Sequence, residues 1–86
     1  MKKKISVIGL GYIGLPTAAL LSQNKSFIVH GSDISRSRLE ELKQLKSNLF
    51  EKNLNTLINE CISKKRLILE RKITKSDFFI ICVPTP

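Results

Sequence analysis

Gly9-Leu10-Gly11-Tyr12-Ile13-Gly14 lies between an apolar strand-like run, with Ile5, Val7 and Ile8, and an apolar helix candidate over residues 15–21. A second strand-like run, Phe27-Ile28-Val29-His30-Gly31, is followed by Asp33. Strand, three spaced glycines, helix, second strand and terminal acid, in that order, make up a complete dinucleotide-binding fingerprint. Each position has a mechanical reason. Gly9 permits the tight turn, Gly11 lets the backbone approach a pyrophosphate, and Gly14 lets the helix pack close to the strand. The helix start then offers free N–H groups and a partial positive charge to phosphates.

Asp33, at the carboxyl end of the second strand, is placed to accept hydrogen bonds from the adenosine ribose, and a carboxylate there repels a 2′-phosphate. NAD is therefore expected over NADP, although Arg36 and Arg38, just past the acid, are groups that tolerate a 2′-phosphate.

The chain has 86 residues, 15 Lys and Arg against 7 Asp and Glu, and a net charge of +8. A single domain of this size buries only about 60–65% of its unfolded surface, so its core is limited. The clusters Lys2-Lys3-Lys4, Lys64-Lys65-Arg66 and Arg71-Lys72 lack interleaved stacking aromatics. They read as solvated cationic surface rather than a nucleic-acid site. Lys2-Lys3-Lys4 followed by an uncharged stretch imitates a signal peptide or membrane span, but the glycines, Pro16 and the continuation to Asp33 argue against both. The expected setting is cytoplasmic, with no membrane partner. Cys61 and Cys82 have neither C-x-x-C spacing nor a disulfide framework and read as core thiols, and no metal-ligand cluster is apparent. His30, mid-strand and with no evident carboxylate partner, reads as a packed strand histidine rather than a general base.

Residues 35–46 read as a helix with Ile34, Leu39, Leu42 and Leu45 near one face, interrupted at Ser47-Asn48. Residues 53–63 form a cleaner amphipathic helix, with Leu54, Leu57, Ile58, Cys61 and Ile62 on its stripe and Asn53 as candidate N-cap. Leu67-Ile68-Leu69 is a short strand, residues 73–76 at most a helical turn, and Phe78-Phe79-Ile80-Ile81-Cys82-Val83 an unbroken apolar run of the kind found in parallel strands buried on both faces. With right-handed crossovers this order gives an α/β, Rossmann-like, open and mostly parallel sheet of strand order 3-2-1-4. Its ligand edge would carry the glycines, Asp33 and Pro84-Thr85-Pro86.

The stretch Ile5-Ser6-Val7-Ile8-Gly9-Leu10-Gly11-Tyr12-Ile13-Gly14-Leu15-Pro16-Thr17-Ala18-Ala19 and the terminal Val83-Pro84-Thr85-Pro86 closely resemble the start of the UDP-glucose/GDP-mannose dehydrogenase family. Within the family the chain looks most like the bacterial UDP-N-acetylmannosamine dehydrogenase branch, which the short distance from Leu67 to Phe78 also suits. Lys52 departs from the family pattern, where proline usually follows the residue matching Glu51.

The resemblance implies NAD-dependent, two-step oxidation of a nucleotide-sugar C6 alcohol to a carboxylate for surface-polysaccharide synthesis. It implies cofactor contacts at Gly9, Gly11 and Gly14, with Tyr12 and Ile13 at the pyrophosphate, Asp33 at the ribose, Arg38 near the adenosine and Thr85 toward the nicotinamide. The family's catalytic cysteine, its partner residues and the sugar-nucleotide domain have no counterpart in residues 1–86, so no catalytic residue is assigned. The expectation is an amino-terminal NAD-binding segment, an incomplete domain of a longer enzyme, that self-associates through its strand 78–83. The alternative is a free-standing, non-catalytic dinucleotide-binding or partner-binding module; nucleic-acid binding has only charge behind it.

Overall fold

The computed structural model describes residues 2–45 and 50–82. Four strands, β1 (Lys3–Ile8), β2 (Phe27–Ser32), β3 (Leu67–Glu70) and β4 (Phe78–Ile81), form one parallel sheet in the order β3-β2-β1-β4. Three helices, α1 (Gly14–Leu21), α2 (Arg36–Lys43) and α3 (Lys52–Ser63), supply the crossovers between β1, β2 and β3. The expected strand order is the observed one.

The parallel register sets Ile5 beside Val29, and Val29 beside Leu67, on one face of the sheet. Against that face pack Leu15, Ala18 and Ala19 of α1, Leu39 and Leu42 of α2, and Ile58 and Cys61 of α3, all buried. Burying each large aliphatic side chain of this set stabilises the fold by about 1.5–3 kcal/mol. Pro16 does not break α1 because it lies in the first turn, where its missing N–H has no intrahelical acceptor. The Cys61 thiol bridges two helices, accepting from Gln23 Nε2 at 3.0 Å and facing the Ala19 carbonyl at 3.8 Å, so it is a packed core group as expected.

Local signals account for the helix ends, with corrections. Ser35 caps α2, its hydroxyl accepting from Arg38 N at 3.2 Å. The cap of α3 is Glu51, whose Oε1 accepts from Leu54 N at 2.6 Å; the helix starts at Lys52, and the expected cap Asn53 lies inside it. At the other end Lys65 adopts φ 58°, with Arg66 N bonded to Cys61 O at 2.9 Å and Lys65 N to Ile62 O at 3.1 Å. That is the Schellman closure, made with lysine where glycine is usual. The reading of Ile34 and Leu45 as part of the buried stripe of α2 is also corrected: both are exposed, because α2 runs only over residues 36–43 and both fall outside it. The expected break at Ser47-Asn48 lies outside the described residues.

Two further expectations change. Residues 73–76 form no helical turn. β4, read as buried on both faces, has Phe78 55%, Phe79 50% and Ile81 67% exposed, because it pairs with β1 on one side and closes the described sheet on the other. No helix of the described residues is long and apolar enough to cross a membrane.

Candidate functional site

The glycine loop leaves β1 at Gly9, whose φ of 96° lies in the left-handed region that glycine adopts without strain. Gly9 N bonds to Ser32 O at 2.8 Å, which continues the β1–β2 ladder one step into the loop. The chain then turns so tightly into α1 that a β-carbon on Gly14 would stand 1.7 Å from the Gly9 carbonyl oxygen. A β-carbon on Gly11, in contrast, would meet nothing within 4 Å. The three glycines thus have separate duties: turn, open approach and close packing. α1 begins at Gly14 with Ile13 in the cap position and no side chain capping it; Leu15 N donates to Gly11 O at 3.1 Å, Pro16 has no N–H, and Thr17 N donates to Ile13 O at 3.2 Å.

Asp33 organises this loop. Its Oδ2 accepts from Leu10 N at 2.9 Å and its Oδ1 from Ser35 N at 2.9 Å, so one carboxylate ties the glycine loop to the β2–α2 turn. Each oxygen keeps further acceptor capacity, since an ionised carboxylate offers about four lone-pair sites.

Above these groups opens a cleft of about 720 Å³ at the carboxyl ends of β1, β2 and β4. Of the expected contact residues, Gly9, Gly11, Tyr12, Ile13, Asp33 and Arg38 line it together. Gly14 lies behind them as the first buried residue of α1, and Thr85 lies outside the described residues. Arg36 is exposed and is not among the lining residues. Cys82, expected in the core, is half-buried and contributes to the cleft wall as well.

Ile34, Arg71 and Ile73 are among the lining residues that the sequence did not mark as contacts. Ile34 is 92% exposed, and it shares the cleft with the exposed Ile73 and with Arg71 from the β3–β4 crossover. Exposed isoleucines beside a polar site are an unfavourable use of apolar surface unless something flat and apolar covers them. No local signal marked Arg71 and Ile73, because they reach the cleft only through the short crossover that returns over the sheet. The volume, the empty space at Gly11, the uncapped helix start and the aliphatic surface beside Asp33 together fit a dinucleotide, within the size range of cofactor clefts.

His30 has a carboxylate partner after all, contrary to expectation: its Nδ1 is 2.9 Å from Glu70 Oε1 across the β2–β3 pairing. Thr74 donates to the other oxygen of Glu70. Burial raises the Glu70 carboxyl, but hydrogen bonds from Thr74 and His30 and the charges of His30 and Lys4 outweigh it and hold the group below its ordinary value of 4.5. A carboxylate with a depressed folded value stabilises the fold fully above the unfolded value, and the contribution disappears as pH falls through the folded one. Glu70→Gln should therefore flatten part of the acid limb of the stability profile, read as thermal melting between about pH 3 and 5. An unchanged acid limb would show the carboxylate to be energetically idle. Among the described residues no three His, Cys, Asp or Glu side chains are grouped to hold a metal ion.

Comparison with known proteins agrees with this geometry. The NAD-binding domain model of the UDP-glucose/GDP-mannose dehydrogenase family matches residues 3–86. The UDP-N-acetyl-D-mannosamine dehydrogenase of Methanocaldococcus jannaschii is 50% identical over 84 residues, covering 98% of this chain and 19% of that protein. The NDP-N-acetyl-D-galactosaminuronic acid dehydrogenase of Ralstonia solanacearum is 36% identical over 84 residues, 98% of this chain and 20% of that one. Among solved structures, the UDP-N-acetyl-mannosamine dehydrogenase of Staphylococcus aureus matches with a TM-score of 0.88 at 36% identity, over 96% of this chain and 20% of that chain. The chain thus spans about a fifth of the length of the curated relatives it matches. Glycine loop, acid clip, strand order and family match converge: the chain belongs to the UDP-glucose/GDP-mannose dehydrogenase family, as its NAD-binding domain.

Proposed function

We propose that residues 1–86 are the NAD-holding segment of a cytoplasmic dehydrogenase that oxidises the C6 alcohol of a UDP-linked N-acetylhexosamine to a carboxylate, with UDP-N-acetylmannosamine as the foremost substrate. The names of the relatives support the sugar class. The observation that carries the cofactor reading is the cleft between the glycine loop and Asp33, with open space where Gly11 would carry a side chain. When bound, NAD supplies the hydride acceptor for alcohol oxidation.

The chain's own residues bind and orient. Gly9, Gly11 and Gly14 shape the backbone approach, and the backbone at Tyr12 and Ile13 together with the α1 start receives the pyrophosphate. Asp33 accepts from the ribose hydroxyls while holding the loop, and Arg38 stands by the adenosine end. The family resemblance assigns Thr85 to the nicotinamide side. Ile34 and Ile73 add aliphatic walls for the adenine ring.

The test is titration calorimetry of NAD and NADP against the chain and against Asp33→Ala. The unsubstituted chain should prefer NAD. The variant should lose about 1.5–3 kcal/mol of NAD affinity, roughly ten- to over a hundredfold, as a charged acceptor is removed. Equal NAD affinity for both proteins would take Asp33 out of the site.

A further inference from the structure

The β3–β4 crossover is a wall of the cleft without helix or strand of its own, and Arg71 and Ile73 are its lining residues. One carboxylate brackets them. Glu70, on one side of residues 71–73, accepts from the Thr74 hydroxyl on the other, so the turn is closed on itself. The second oxygen of Glu70 meets His30 Nδ1 at 2.9 Å, which fastens the turn to β2, the strand that leads to Asp33. The crossover is secured again further along: Ser6 Oγ donates to Thr74 O at 3.2 Å and lies 2.6 Å from Ser76 Oγ, and Lys4 N donates to Asp77 Oδ2 at 2.8 Å. Those bonds fix the segment over β1, whereas the His30–Glu70 contact fixes its start over β2. With side-chain exposures of 12% for His30 and 30% for Glu70, the contact is better shielded from water than an ordinary surface ion pair.

We propose that His30 is a positioning residue for the cofactor: through Glu70 and Thr74 it sets the Arg71 and Ile73 wall against the ribose end of the cleft, so that NAD affinity follows the state of the His30–Glu70 bond. The inference rests on the reading of this cleft as the NAD site. Neutral imidazole donates from Nδ1 in only one of its tautomers, whereas the protonated ring always does, and then through a charge-assisted bond. Among the described residues the charged groups nearby are the half-buried Lys4 on β1, which acts on Glu70, and the exposed Arg71, Lys72, Lys75 and Asp77 of the crossover. His30 is the chain's single histidine.

The experiment is NAD titration of the 86-residue chain, His30→Gln, His30→Leu and Glu70→Gln, with a thermal melt of each protein. His30→Leu should bind about tenfold more weakly than the original chain, the loss expected when a hydrogen bond to a charged group is removed. His30→Gln, whose amide still donates to Glu70, should recover most of that affinity. Should His30→Leu fail to fold, Glu70→Gln decides, since it replaces the charged acceptor with a neutral one and should bind several-fold more weakly. If the original chain binds NAD but His30→Leu, or Glu70→Gln in its place, binds equally well, or His30→Gln recovers nothing, His30 has no positioning role and the cleft reading stands. If the original chain binds no NAD, the cleft reading itself falls and takes this inference with it.

Discussion

Gly14→Ala should unfold the chain, whereas Gly11→Val should leave it folded and abolish NAD binding. The two glycines sit three residues apart in one loop, yet their surroundings are opposite. A β-carbon on Gly14 would lie 1.7 Å from the Gly9 oxygen, 2.9 Å from the Gly9 carbonyl carbon and 3.2 Å from Cys82 Cβ. The first two are backbone atoms, and they belong to the residue whose φ of 96° shapes the turn. Neither atom can swing aside, so relief would require α1 to move off β1. Overpacking of that kind costs about 3 kcal/mol or more, a large share of the roughly 5 kcal/mol expected for a small domain. At Gly11 the same added carbon meets nothing within 4 Å, and the backbone is outside the left-handed region. The valine would fill the space through which a pyrophosphate approaches. Thermal melting by circular dichroism and calorimetric NAD titration separate the two effects. A Gly11→Val protein with undiminished NAD affinity would place the ligand elsewhere, and a Gly14→Ala protein melting like the original would mean that the loop yields more readily than its contacts suggest.

The second large effect is expected at β4. This strand is bonded to β1 on one side, and its outer edge, with Phe78 and Phe79 half exposed, has no strand partner among the described residues. Four consecutive apolar residues, Phe78-Phe79-Ile80-Ile81, contain no charge or proline to discourage pairing with another copy. We propose that the chain associates through this edge. Size-exclusion chromatography with light scattering should show oligomers at high micromolar concentration, and Phe79→Lys should shift them largely to monomer. A wild-type chain that stays monomeric at that concentration would remove the edge from consideration.

What could be read in the sequence depended on how local the cause was. The glycine loop, Asp33 and the 3-2-1-4 order follow from short patterns: an apolar strand, a spaced set of glycines and right-handed crossovers. His30 and Glu70 are forty residues apart, and they meet only because β2 and β3 pair in one register, His30 beside Ile68. No local pattern encodes that meeting. Ile34 matched the period of α2, but the turn after Asp33 sends it to the cleft before the helix begins. Glu51 was overlooked as the α3 cap because Asn is the stronger capping type, and the geometry selected the residue with extended backbone instead. The burial of β4 was overestimated because an apolar composition describes what a strand tolerates, whereas exposure is set by which neighbours are there to cover it.

Tyr12 lines the cleft, and its ring stands edge-on to Phe50, centroids 5.7 Å apart and planes at 83°. Phe50 is in turn clasped to the start of α3, its N–H donating to Asn55 Oδ1 and its carbonyl accepting from Asn55 Nδ2. The phenol is thus braced on one side and open to the cleft on the other. Because the chain contains one tyrosine and no tryptophan, its emission when excited beyond the phenylalanine absorption comes from that single ring. The protein carries a built-in optical probe at the mouth of its own cleft, and a ligand entering beside the glycine loop will announce itself as quenching of this one fluorophore, with no label attached.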